Sequence, residues 1–216
     1  MTFWSMISDL LGGLLVSVDI FVCTLLIALP LGFVIALGRM SKNPVVSAAF
    51  RIFISIVRGT PLMLQIIFVY FAPFIIFGLQ IGIYPRLLAT VLAFGINYSA
   101  YFGEIYRGGI LSIDRGQNEA AASLGFTRAQ TFFRIILPQV IKRVLPAIGN
   151  EVITLVKDTS LAFTIAVTEM FTIAKQLSSA NTTMTPLVAA GVFYYLFNYL
   201  VAFAMERLEK RFSYYA

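Results

Sequence analysis

Residues 116–139 read GQNEAAASLGFTRAQTFFRIILPQ, a polar island between long apolar blocks, and they hold two helix boundaries. Gln117 to Leu124 is built mostly from strong helix formers, and Gly125 stands where a helix commonly ends in a left-handed residue. The first helix is therefore expected to stop at Gly125. Thr127 can cap a second helix, with Gln130 three residues on to complete a capping box, and this helix is expected to run toward Pro138. The stretch thus predicts a helix-turn-helix on a short, water-facing loop spanning about residues 114–138.

The surroundings of this island set the class. Of 216 residues, 59% are hydrophobic and only 12% charged, with a mean hydropathy of +0.88, whereas soluble domains carry about twice that share of charge. The chain is expected to be an all-α integral membrane protein, a single transmembrane domain over 1–216. It has no histidine and one cysteine, Cys23, which excludes an internal disulfide and argues against any zinc-type metal site. The net charge of +6 comes from basic residues flanking apolar runs instead of forming a stripe, which fits topology and anionic lipid, not nucleic acid. No residue before Arg39 is basic and the first apolar run is too long for a signal peptide, so it is expected to stay as a span.

A bilayer crossing needs about 20 apolar residues. Leu10–Leu37, Val45–Phe77, Leu87–Ile110, a run beginning at Val144–Val156, and Met184–Met205 supply five. The second is broken at Arg58-Gly59-Thr60-Pro61, and the fourth at Lys157-Asp158-Thr159-Ser160. Leu161–Ala174, which carries Thr164, Thr168 and Glu169, reads as a short outer or re-entrant helix. Three basic clusters then share one face: Arg39, Lys42 and Arg51; Arg107 through Arg143; and Arg207, Lys210 and Arg211. The positive-inside rule puts that face, the polar island and the C-terminus in the cytoplasm, and the N-terminus outside.

The breaks are where buried chemistry can sit. Thr60 is a good cap and Pro61 suits a first helical turn, so a half-helix is expected to restart there and offer free N–H groups to a carboxylate. Glu151 and Asp158 lie seven residues apart on one helical face inside an apolar run. Intramembrane carboxylates are costly and mark substrate or ion pathways, and here they would meet a cationic group; internal pairing of Asp158 with Lys157, and of Glu151 with Arg58, is the alternative. Asn97, Tyr98 and Ser99 form a polar notch on the third span, while Glu104 and Arg107 are spaced as an intrahelical pair.

Glu119-Ala120-Ala121, then Gly125, then Ile136-Leu137-Pro138 together resemble the EAA loop of ABC importer permeases. Arg58-Gly59-Thr60-Pro61-Leu62 with Gln65, and Asn150-Glu151 with Lys157-Asp158-Thr159-Ser160-Leu161, are similar to the RGTP and KDTSL segments of polar amino acid permeases. The resemblance spans about residues 51–169. It implies a type I-like permease subunit importing polar amino acids by alternating access across a bacterial cytoplasmic membrane, and the carboxylates Glu151 and Asp158 point to basic (arginine-, lysine- or histidine-like) ones, although the motifs themselves do not fix which amino acid is carried. Its implied partners are an ABC ATPase dimer that supplies ATP and magnesium, a second permease chain and an extracytoplasmic solute-binding protein. Glu119, Ala120, Ala121 and Gly125 would couple to the ATPase. Thr60, Pro61, Leu62, Gln65, Asn97, Tyr98, Glu151 and Asp158 would line the substrate site, with no catalytic residue, metal or cofactor in this chain. No G-x-x-x-x-G-K-[ST] occurs, so ATP hydrolysis is expected elsewhere. A secondary transporter or channel, or a non-ligand-binding half of a heteromeric permease, are the competing readings.

Overall fold

The computed structural model describes residues 2–78 and 85–212, and among these every regular element is helical. Helix α1 (Phe3–Arg39) is followed by α2 (Pro44–Gly59), α3 (Leu62–Phe77) and α4 (Arg86–Leu111). Two short helices, α5 (Arg115–Ser123) and α6 (Arg128–Thr131), make up the polar island, and α7 (Leu137–Asp158), α8 (Met170–Asn181) and α9 (Thr185–Phe212) complete the chain.

Helix α4 is the core. Phe94, Tyr98 and Phe102 lie on successive turns of one face, all essentially buried, and pack with Ile66 of α3 and Leu155 of α7. It also lies against α1 so closely that side chains larger than glycine's would collide. A Cβ on Gly32 would sit 2.8 Å from the Phe102 Cβ, and one on Gly103 would sit 2.7 Å from the Ile35 Cγ2. Glycine on both sides lets the two backbones approach, the usual device where burying apolar surface cannot drive helix association.

Two helices, α1 and α9, are by themselves long and apolar enough to cross a membrane, and the α2–α3 pair qualifies together as a span bent by 109°. The remaining expected crossings, α4 and α7, are less apolar because they carry the interior polar groups, Thr90, Asn97 and Ser99 among them on α4. With 26 and 22 residues, they extend about 39 and 33 Å, enough to traverse the hydrocarbon layer.

Three local expectations need correction. The helix begun at Thr127 does not end at Pro138; it widens into a π-turn over Phe132–Ile136 and continues as α7. Pro138 lacks an N–H, and in a regular α-helix its ring would clash with the carbonyl four residues back, that of Arg134, which lies inside this widened turn. Secondly, Leu161–Ala174 is not one short helix. The chain forms a 3₁₀ segment (Thr159–Ile165), turns at Ala166 with φ 55°, and starts α8 only at Met170. Glu169 caps that start from full burial, accepting from the N–H groups of Phe171 and Thr172 at 2.7 Å each and from the Tyr194 hydroxyl at 2.8 Å. Ser17 of α1 also donates to it at 3.4 Å, so one satisfied carboxylate ties α1, α8 and α9. Thirdly, Thr60 does not cap the restarted helix; Pro61 stands at that position, extended at φ −61° and ψ 133°, and the helix begins at Leu62.

Candidate translocation and coupling sites

The polar island folds as its sequence dictates. Asp114 caps α5 by accepting from the Gly116 N–H at 2.6 Å. At the other end Gly125 takes φ 79°, its N–H bonds the Ala122 carbonyl and the Phe126 N–H bonds the Ala121 carbonyl, both at 3.0 Å. This pair of bonds is a Schellman motif, and it uses up the carbonyls the helix end would leave unpaired. Thr127 and Gln130 then close the capping box, Gln130 N–H to Thr127 Oγ1 at 3.3 Å and Thr127 N–H to Gln130 Oε1 at 2.8 Å. Glu119 and Ala120 are exposed on α5, while Ala121 is buried against the turn.

The two legs of the island are fastened together. Ile113, Ile136, Val140 and Val144 form one apolar cluster with Ile105, Tyr106 and Ile110 of α4. Arg143 adds a polar bond, donating to the Ser112 carbonyl and, at 3.0 Å, to its hydroxyl. The end of α4 and the start of α7, which flank the island, are thus packed against each other.

The second polar region is assembled by one turn of α4. Asn97 donates from Nδ2 to Gln65 Oε1 at 3.0 Å, and the Gln65 Nε2 donates to the carbonyls of Val57 and Thr60 and to the Thr60 hydroxyl at 2.7, 3.1 and 2.8 Å. The Thr60 hydroxyl itself donates back to the Ile56 carbonyl at 2.9 Å. Tyr98, 2% exposed, donates its hydroxyl to Asp158 Oδ2 at 2.8 Å. Arg58 lies over the Tyr101 ring, 4.8 Å from its centre, and within electrostatic reach of Glu151. Glu104 pairs with Arg107, as their spacing predicts.

Five of the eight expected lining residues, Thr60, Pro61, Leu62, Gln65 and Asn97, thus gather at the α2–α3 break, and Tyr98, next to Asn97 on α4, pairs with Asp158 of α7. Among the described residues Glu151 makes no ion pair with Arg58, whose guanidinium lies over Tyr101 instead. Among the described residues nothing takes the N–H groups of Leu62 and Met63 that head α3, so the half-helix start does present free donors. Asp158 is held by Tyr98, not by Lys157, because Tyr98 reaches it from the facing helix.

Residues 28–214 match the family described as the inner membrane component of binding-protein-dependent transport systems. The chain belongs to that family. It is 33% identical to the L-cystine transport system permease protein TcyB of Bacillus subtilis over 216 residues, covering 99% of this chain and 89% of that one. It is 36% identical to the arginine transport system permease protein ArtQ of the same organism, covering 94% and 91%. It is 35% identical to the glutamine transport system permease protein GlnP of Escherichia coli, covering 98% and 89%. Among solved structures, an amino acid ABC transporter with histidines superposes with a TM-score of 0.86 at 32% identity, covering 98% of this chain and 99% of that one. The MetNI methionine ABC transporter, at 18% identity and a TM-score of 0.74, shares the fold.

This permease is thus an ABC transporter subunit of the bacterial inner membrane, and relatives of its kind are transport subunits, not enzymes. The sequence reading did not single out Tyr101, the stacking platform for Arg58, or the Arg143–Ser112 tie, because each depends on a partner from another helix. Glu169 carried a usable signal: an acidic residue directly ahead of a helical run, where a carboxylate can accept from the first N–H groups.

Proposed function

We propose that this permease subunit imports polar amino acids, basic ones foremost, through a cavity that alternates between an external binding protein and the cytoplasm. The observation that carries this reading is the break at Pro61, where α3 starts with two unpartnered N–H groups. A helix start with free N–H groups favours a carboxylate, and transporters place substrate anions at such ends. In this scheme Leu62 and Met63 take the cargo carboxylate beside Thr60 and Pro61. Glu151 takes its cationic group, and the Tyr98–Asp158 pair forms the facing wall.

Five crossings with the N-terminus outside and the C-terminus inside place the polar island in the cytoplasm. There Glu119, Ala120, Ala121 and Gly125 would seat on one subunit of an ATPase dimer, whose closure on ATP moves α4 and α7 through their fastened ends. Five crossings are few to enclose a pathway, so a second permease chain completes it. The cargo shifts the balance of the two conformations only by as much as its affinity for them differs.

A second reading is a non-ligand-binding half of a heteromeric permease, in which Arg58, the basic residue at the helix break, serves as the internal counter-charge to Glu151. Glu151→Gln in the assembled transporter separates the two. The importer reading predicts that uptake of basic amino acids falls at least tenfold while assembly with the ATPase is kept; unchanged uptake would favour the silent half.

A further inference from the structure

The α2–α3 break is not held by its own backbone. The carbonyls of Val57 and Thr60 at the end of α2 have no helical N–H partner: the residue four on from Val57 is Pro61, which has no N–H, and across the 109° bend the Leu64 N–H bonds the Pro61 carbonyl instead of that of Thr60. Gln65, one turn into α3, reaches back and donates to both, and to the Thr60 hydroxyl. Carbonyls accept only, so the Gln65 amide has to present its NH₂ to α2 and its oxygen away from it. That oxygen meets the Asn97 NH₂ of α4 at 3.0 Å, and Asn97 is 5% exposed. Each amide fixes the orientation of the next, and both donors and the acceptor of Gln65 are used within the chain.

We infer that Gln65 and Asn97 are positioning residues, a side-chain clip that sets the angle of the α2–α3 break and makes the start of α3 follow α4. The sequence suggested both as cargo ligands; the geometry gives their polar groups to each other and to the break. The clip adds to the transport reading above and rests on it for the direction of force. Helix α4 is fastened at its far end to the polar island through the Ile113 cluster and Arg143. Movement of the island therefore passes along α4 to Asn97, through Gln65, to the N–H groups of Leu62 and Met63. A hinge of this kind needs a few residues at element ends to absorb the rotation, and Gly59 and Thr60, both exposed, supply them.

The test uses the complete transporter in lipid nanodiscs, with Cys23→Ala to remove the native thiol. Spin labels replace Val45 and Ile75, which are 74% and 80% exposed on α2 and α3, and labelled chains are diluted with unlabelled ones. Distances are compared for the parent, Gln65→Glu and Asn97→Leu. Gln65→Glu keeps the shape and loses both donors, so it tests the clip even if the larger change at Asn97 disturbs folding. The clip predicts a narrow parental distribution that is broadened or displaced in the variants. It also predicts a severalfold fall in amino acid moved per ATP hydrolysed, with KM for cargo within about twofold of the parent. A purely structural role would lower the yield of complex without altering that ratio. An unchanged distance distribution in Gln65→Glu overturns the clip, as does a tenfold rise in KM with the transport-to-hydrolysis ratio intact, the mark of a lost ligand contact. The distances are measured without cargo, so they decide the clip even if no amino acid is carried, an outcome that would sink the importer reading alone.

Discussion

Two of the polar breaks between helices, at Gly125 and at Thr60-Pro61, are sealed differently. At Gly125 every bond comes from within six residues: two backbone bonds into α5 and a reciprocal cap on α6. At Thr60-Pro61 the end of α2 is sealed by a side chain from α3, itself held by one from α4. The first break is a self-contained elbow that keeps its shape while whatever it is attached to moves. The second has its shape only while three helices stay in register, so it can report on their movement. A transport subunit without its own ATPase motif needs both: a stiff part to receive force and a compliant part to change the site.

The largest expected effect comes from attacking the stiff elbow. Gly125→Pro removes the N–H bonded to Ala122 and forbids φ 79°, a change of about 3 kcal/mol or more at the turn. Membrane insertion and assembly should survive, since the loop is exposed, and transport should fall to background while ATP hydrolysis persists. Parallel uptake and hydrolysis assays read this directly; full uptake would contradict the elbow's role. Glu119→Lys, which reverses a charge on the exposed face of α5, should uncouple the same two activities less completely.

Next in size is the compliant break. Thr60→Val removes the acceptor of one Gln65 bond and the donor to Ile56 while keeping the shape, a cost of about 1 kcal/mol. Cargo-stimulated hydrolysis should drop severalfold, and a titration of stimulation against amino acid checks it. The smallest effect should follow Gln130→Ala. It opens half of the capping box at a cost of about 0.5–1 kcal/mol, and because the Schellman turn remains, uptake should stay within about twofold of the parent.

The same contrast explains what the sequence could reveal. The left-handed glycine, the threonine cap and the glutamine three residues on lie within reach of one another, so their pattern in the chain is their geometry in space. Thr60 follows the same grammar and misleads, because its hydroxyl is claimed by Gln65, whose amide is in turn held by Asn97, 32 residues further along. Asp158 looked available for Lys157 next to it, yet its partner Tyr98 lies 60 residues away on the facing helix. The polar residues of the second break were legible as a set. Their division into groups that satisfy one another and groups that stay open, the N–H groups of Leu62 and Met63, was not, since it depends on how α3, α4 and α7 pack. Pro138 shows a further limit: a residue that normally ends a helix is absorbed by widening the turn before it.

Drive by a separate ATPase requires above all that the Gly125 elbow face the cytoplasm. Ser123, exposed on α5 beside it, can be replaced by cysteine in a Cys23→Ala background and treated with a membrane-impermeant thiol reagent. No labelling in intact cells and ready labelling in inside-out vesicles is the predicted result. Labelling from outside intact cells would contradict it, and with it the proposal that a separate ATPase drives this permease through the polar island.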